Sequence, residues 1–284
     1  MLSKNEIIEK VKSGDLQSIL DMDLNLKIDI EFNNELVDIN AKAFEFIDDR
    51  LKSNKKIIFN ATTVEPKLFK FVSNDIKKDK KFILELCIEN RENYCDSSIF
   101  EFADISLKKN KEFVLEVCNY DEGGCPPSFS EFEFADTALQ NDKDVVRFAT
   151  LANGKAFQHA NISFMSDKEL ILEVIPYSTC PFYCIDESLL SDKDFMMKAV
   201  TVNGFTLGFL NDDLRNDKEL VLLAVKENGD SLQYVGKTLI KDRDVVLAAV
   251  KENEPAIEYA DKSMLKDEQI MMYAGSWGKS LLKR

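Results

Sequence analysis

Asp142, Asp167, Asp192, Asp217, Asp242 and Asp267 stand 25 residues apart, and no other feature narrows the fold of this chain so far. With each of these acids counted as position 0, the stretch Asn216 to Ile240 carries the best-formed unit. Apolar residues fall at positions 3, 4, 7 and 8 (Leu220, Val221, Ala224, Val225), the spacing of one helical face. A second apolar set follows at positions 15, 17, 18 and 22 (Leu232, Tyr234, Val235, Leu239). Asn228-Gly229 lies between them and is expected to end the first helix in a left-handed residue. Each unit therefore reads as one helical hairpin.

The register extends back through Asn110, Asp79 and Asn54, and in weaker form to Asp29. Position 15 is Phe44, Phe69, Phe100, Phe132, Phe157, Phe182, Leu207, Leu232 and Ile257 in turn, a column that a lone hairpin has no means of burying. Neighbouring units must stack to cover it, which is the logic of a solenoid. The expected fold is all-α, an α-solenoid of about ten 25-residue helical hairpins in a single superhelical domain over 1–284. Within it, 1–53 reads as degenerate N-terminal capping repeats, 54–266 as core repeats, and 267–284 as a partial C-terminal repeat. Inserted loops fall at about 88–99 and 119–131. Because the second helix is short, a variant in which it is a 3₁₀ turn stays open.

Two polar columns fit the same scheme. Ser166 with Glu169, and Asn216 with Glu219, have capping-box spacing, whereas Asp242 and Asp267 follow a lysine and are expected to cap directly. Position 1 is basic at Lys55, Lys80, Lys111, Lys143, Lys168, Lys193, Lys218 and Arg243. A row of cations beside a row of acids predicts an exposed ion-pair ladder running from unit to unit. The residues Asp217-Lys218-Glu219, Ala224-Val225, Asn228-Gly229 and Leu232-x-Tyr234, repeated closely in Asp242 to Ala260, resemble the repeat of the family catalogued as domain of unknown function 4116. The resemblance is best from about residue 142 to 284; it implies a helical repeat, no activity and no catalytic residues.

The formal charge of −14 disfavours nucleic acid and anionic membrane, both of which need cationic contacts. It favours a basic partner. No apolar run approaches the roughly 20 residues of a membrane span, and the N-terminus turns polar too soon for a secretory signal. Six cysteines in such a chain are expected to be reduced thiols in the cytoplasm, with export by a route needing no classical signal left open.

Departures from the repeat are where function is expected to show. The insertions CIENRENYCDSS and CNYDEGGCPPSFS fall between the two helices of adjacent units and bring Tyr94, Cys95, Tyr120 and Cys125 to one edge. They read either as tolerated loop drift or as a binding edge. Cys95 and Cys125 stand where they could pair, but no metal site is expected, because Cys180 is two units further on. Cys87 and Cys118 take the position-8 slot of valines and should be core residues. His159 and Cys184 share the aromatic position-17 column, and without an orienting acid they make an unconvincing nucleophile and base. Glu101 with Asp104 and Glu133 with Asp136, echoed at Glu45/Asp48 and Glu258/Asp261, are three apart and are expected on one helix face, forming an acidic ridge. The last residues leave Trp277, Leu281 and Leu282 without a following unit, which suggests self-association or a chain cut short.

No catalytic constellation or cofactor motif emerges. The expected function is a non-enzymatic scaffold that binds a protein or peptide, a basic one by charge, through Tyr94, Cys95, Glu101, Asp104, Tyr120, Cys125, Glu133 and Asp136. The contrasting expectation is an acidic neutralising or immunity-type protein, or nucleic-acid mimic, that blocks a basic partner. The sequence does not set an oligomeric state.

Overall fold

The computed structural model describes residues 2–92, 98–119 and 130–282. They form two compact units, Met1–Ala156 and Phe157–Arg284, each built from the same repeat. Among the described residues there are helices and no strands.

The repeat is clearest at Asp217 in the second unit. Its backbone is extended (φ −81°, ψ 109°), and its Oδ1 accepts the amides of Glu219 and Leu220 at 3.1 and 3.3 Å. That satisfies two of the orphan donors that open any helix. The helix Lys218–Glu227 follows and buries Leu220, Val221, Ala224 and Val225 completely. At Asn228 the backbone swings to φ −147°, ψ 112°, and its side chain accepts the Asp230 amide at 3.0 Å. This opens a 3₁₀ helix, Gly229–Tyr234, and a further turn, Leu239–Lys241, leads to the next acid. The second segment of the hairpin is thus the 3₁₀ variant. Four to six residues that bury the adjacent positions 14 and 15, such as Ser231 with Leu232 or Ile99 with Phe100, need no longer α-helix.

The corner differs from expectation. Among the described residues, glycines with positive φ are Gly14 and Gly275, neither at a repeat corner. Position 12 also accepts Pro66, Thr179 and Glu254, which a left-handed requirement would forbid. Gly204 and Gly229 are there for space. A Cβ on Gly204 would collide with the carbonyl oxygen of Ala224, and one on Gly229 with that of Ala249, in the next helix of the stack.

The capping boxes are also replaced by something simpler. Ser166 ends the preceding 3₁₀ turn and Asn216 follows a short helix, while Asp167 and Asp217 cap. A reciprocal box is found instead at Ser3 and Glu6.

Three devices stitch repeats together. The predicted ladder is present: Lys4–Asp29 (2.8 Å), Lys55–Asp79 (2.6 Å) and Lys111–Asp142 (2.7 Å) in the first unit. Lys168–Asp192, Lys193–Asp217, Lys218–Asp242 and Arg243–Asp267 continue the pattern in the second, at 2.5–2.8 Å. A backbone ladder runs beside it, from the position-19 amide to the position-23 carbonyl of the preceding repeat. Its rungs include Asp104 to Lys77 (2.9 Å), Asp136 to Lys108 (3.0 Å), Asp186 to Met165 (2.9 Å) and Gly236 to Arg215 (2.9 Å). The third device is local. Lys77, Lys108 and Arg215, all at position 23, donate at 2.6 Å to the position-16 carbonyls of Lys70, Glu101 and Gly208, closing the C-terminal end of each 3₁₀ helix. Burial pushes the Lys77 and Lys108 ammonium groups below the usual lysine range.

Between these polar seams lies the apolar column. Phe44, Phe69, Phe100 and Phe132 are fully buried in the first unit, as are Phe157, Leu207 and Leu232 in the second. Each such side chain contributes roughly 1.5–3 kcal/mol from burial, against about 0–1 kcal/mol for an exposed ion pair. The column holds the repeat together; the ladders set its register.

Candidate functional site

Tyr94, Cys95, Tyr120 and Cys125 lie outside the described residues. The other four expected site residues fall into two groups. Glu101 and Glu133 sit in the 3₁₀ helices Ile99–Phe102 and Glu131–Phe134, Glu101 half-buried and Glu133 exposed. Asp104 and Asp136 do not share a helix with them. The 3₁₀ helices end at Phe102 and Phe134, and the chain is extended at Ala103 (ψ 154°) and Ala135 (ψ 152°). Each aspartate instead caps the next short helix, Ile105–Lys108 or Thr137–Gln140. Asp104 Oδ1 accepts the Ser106 hydroxyl at 2.6 Å and its amide at 2.9 Å, which hold the carboxyl below its ordinary range. Asp136 Oδ1 accepts the Ala138 amide at 3.0 Å, and Lys109 stands 3.9 Å from its other oxygen. The ridge is therefore an outward column of glutamates beside a column of helix caps.

Cys87 and Cys118 are buried, as their column predicted. Cys184 is half-buried and donates to the Pro181 carbonyl at 3.3 Å. Burial, with Cys180 adding to it, pushes its thiol up to about 11, so at neutral pH it is protonated and a poor nucleophile. His159 Nε2 lies 3.0 Å from Gln158 Nε2. Among the described residues, no cluster of three or more His, Cys, Asp or Glu side chains is placed to hold a metal.

The second unit contains a cleft that the charge pattern did not foretell. Thr179, Tyr183, Phe205, Gly208, Phe209 and Tyr234 enclose about 550 Å³. Thr179 precedes, and the others belong to, successive 3₁₀ segments: Cys180–Tyr183, Gly204–Phe209 and Gly229–Tyr234. The rings pack in a chain. Phe182 stacks on Phe209 at 5.2 Å, Tyr183 meets Phe209 edge-on at 5.1 Å, and Phe205 meets Tyr234 edge-on at 6.3 Å. Tyr183 is nonetheless 80% exposed. Gly208 forms the floor, since a Cβ there would stand 3.1–3.3 Å from the Tyr234 ring. Behind it, Arg215 Nη2 holds the Gly208 carbonyl while Arg215 Nε is buried without a hydrogen-bond partner.

The sequence did carry a signal for this site, in columns 13 and 16. Position 16 is Glu45, Lys70, Glu101, Glu133, Gln158, Gln233 or Glu258 elsewhere, but Tyr183 and Gly208 here. Position 13 is Lys42, Lys67, Ser98, Ser130, Lys155 or Cys180 in earlier repeats and Phe205 here. A smaller cleft of about 440 Å³ in the first unit has Glu45, Asp48 and Lys52 among its lining residues. There Asp48 is already held by both the Nε and Nη2 of Arg50, each at 2.8 Å.

The family model described as domain of unknown function (DUF4116) matches residues 29–77, 167–215, 200–240 and 242–283. No curated protein and no solved structure matches the chain. Among the described residues, no helix is long and apolar enough to cross a membrane.

Proposed function

The chain belongs to the family described as domain of unknown function (DUF4116), and from that premise we propose that it is a non-enzymatic scaffold that binds a peptide segment of a protein partner. The aromatic cleft of the second unit carries this reading. Exposed tyrosine beside stacked phenylalanine is costly to leave in water, and rigid aromatic rings around a small residue are what interface anchors are made of. The repeat supplies a stiff frame that holds the rings at fixed spacing, which lowers the ordering cost of binding. A catalytic reading has less to stand on, because the one cysteine in the histidine's column keeps its proton. The acidic-decoy reading draws on the same charge of −14, yet the position-0 and position-19 aspartates already serve as caps and ion-pair partners. The scaffold reading keeps the cytoplasmic setting expected from the sequence.

The test is selection from a random-peptide display library on the immobilised full chain and, in parallel, on Tyr183→Ala. The wild-type chain should enrich a recurrent motif that the variant loses. Equal enrichment by both would refute a role for the cleft.

A further inference from the structure

We propose that the cleft receives an extended proline-rich segment in the polyproline II conformation, with a basic residue at the end lying toward Asp212 and Asp213. This rests on the peptide-binding reading above and names the partner's chemistry. Three observations lead to it. The first is spacing. Equivalent positions in stacked helical repeats recur about every 8–10 Å, and a polyproline II helix presents every third residue about 9 Å apart, at roughly 3.1 Å per residue. Phe209 and Tyr234 hold the same position, 17, in successive repeats, so two successive turns of such a ligand meet these two rings, while Tyr183, at position 16 and 5.1 Å edge-on to Phe209, walls the first of them.

The second is the polarity of the lining. Its side-chain polar groups are the hydroxyls of Thr179, Tyr183 and Tyr234, and no carboxylate lines it. Arg215 lies directly behind Gly208 with its Nε unsatisfied. A bare ammonium or guanidinium would enter this site against the charge of Arg215 and without an acid to meet it. A polyproline II segment brings backbone carbonyls that have no internal partners, and pyrrolidine rings that pack on aromatic faces. Donors and rings are what the cleft offers.

The third is exposed charge next to the lining residues in the chain. Asp212 and Asp213 are exposed and follow Phe209 by three and four residues; Glu187, also exposed, follows Tyr183 by four. They complement a basic residue flanking the prolines, not one inside the cleft.

The experiment is fluorescence anisotropy with a labelled oligoproline peptide ending in two arginines, titrated with the full chain. Three variants accompany it: Tyr183→Ala, Gly208→Gln (the residue that Gln158 and Gln233 place at the same position) and Asp212→Lys/Asp213→Lys. Circular dichroism melting checks that each is folded. Saturable binding should weaken at least about tenfold in Tyr183→Ala and in Gly208→Gln, as expected for loss of an interface anchor. The charge reversal should weaken it severalfold and reduce its salt dependence. Replacing the peptide's prolines by alanine should abolish binding. Equal binding of the alanine peptide, or unchanged binding to folded Gly208→Gln, overturns the inference. If the display library returns motifs that depend on Tyr183 yet lack proline, or if a trimethyl-lysine peptide binds there and the oligoproline does not, the polyproline proposal fails while the scaffold reading stands. If no peptide depends on Tyr183, both fail.

Discussion

Gly229→Ala separates two explanations of the repeat corner by the sign of its effect. Were the glycine a harmless choice in an ordinary conformation, alanine would stabilise by about 0.4–1 kcal/mol, because it restricts the unfolded chain. The structure predicts the opposite. The added Cβ would collide with the Ala249 carbonyl oxygen and stand 3.0 Å from both Cβ and N of Asn253. These are backbone and near-backbone atoms of the next helix, Arg243–Glu252, and of its C-cap Asn253; the helix is itself packed through fully buried Val245, Val246 and Ala249. None can rotate away, so the repeats must separate. Overpacking of this kind costs about 1–3 kcal/mol. Set against the entropic gain, the net loss should be about 1–2 kcal/mol, or roughly 4–8 °C in the melting temperature of a unit this size. Urea denaturation followed by circular dichroism measures it. Gly14 is the control, with φ 89° and nothing within 4 Å of its would-be Cβ. At Gly14 asparagine should be tolerated better than alanine, since the difficulty there is conformational. At Gly229 asparagine should be worse than alanine, since the difficulty is space. A Gly229→Ala chain as stable as the wild type would refute the close-approach argument.

The remaining predictions are shorter. Gly236→Asp restores the residue found at Asp186 and Asp261, but its Cβ would land on the Asn216 side chain, so it should destabilise alone and recover with Asn216→Lys, read as a double-mutant cycle in urea. Lys108→Met should cost about 1 kcal/mol by stranding the Glu101 carbonyl, whereas Lys108→Gln should cost less, because Gln140 makes the equivalent bond to Glu133 at 3.1 Å. Alkylation of Cys184 by iodoacetamide, followed by mass spectrometry, should be slow at pH 7.5 and accelerate only as pH nears about 11. Stability should fall in acid. Asp217 is held below its ordinary range chiefly by Lys193, and Asp192 by Lys168, so each stabilises the fold above the unfolded carboxylate value. That contribution is lost as pH falls through the lowered folded values. Asp217→Asn should flatten the decline of the urea midpoint between pH 5 and pH 2; an unchanged slope would count against the ladder.

The repeat, its register and the ion-pair ladder were legible because each is written many times over. Nine position-15 residues and eight position-1 cations average away local exceptions. The second segment was not legible as 3₁₀ from apolar spacing, since Leu232 and Tyr234 fit either helix type over so short a run. The Asn-Gly corner misled for a physical reason: the pair is the usual sign of a left-handed residue, and only the position of the neighbouring Ala249 carbonyl shows that volume decides here. The capping boxes misled similarly, because a serine or asparagine one residue before an aspartate leaves two candidates for one set of amides; Asp167 and Asp217 take them, and Asp217 also reaches Lys193 of the preceding repeat. At the candidate site, reading one column at a time hid the cleft. Position 17 is aromatic in most repeats; what makes a cavity is Gly208 beside Phe205 and Tyr183, a combination spread over columns 13, 16 and 17 of adjacent repeats.

The same separation bears on what the acidic charge is for. Asp104 and Asp136 looked like docking groups, but they cap helices, and their amides hold the preceding repeat through the Lys77 and Lys108 carbonyls. Asp212 and Asp213 sit past Phe209 at the start of the short helix Asp212–Arg215, where Asn211 does the capping through the Leu214 amide at 3.0 Å. Their carboxylates are exposed and not needed for that cap. The two pairs should therefore answer differently to neutralisation. Asp136→Asn keeps a capping oxygen and should be mild, while Asp136→Ala removes it and should cost about 1 kcal/mol of stability with no change in peptide affinity. Asp212→Asn with Asp213→Asn should leave the melting temperature nearly unchanged and lower the association rate of an arginine-flanked peptide, most of all in low salt, where rim charges act at longest range. If Asp136→Ala weakened binding without loss of stability, the acidic ridge would be a docking surface after all, and the division of carboxylates into structural and rim groups would be wrong.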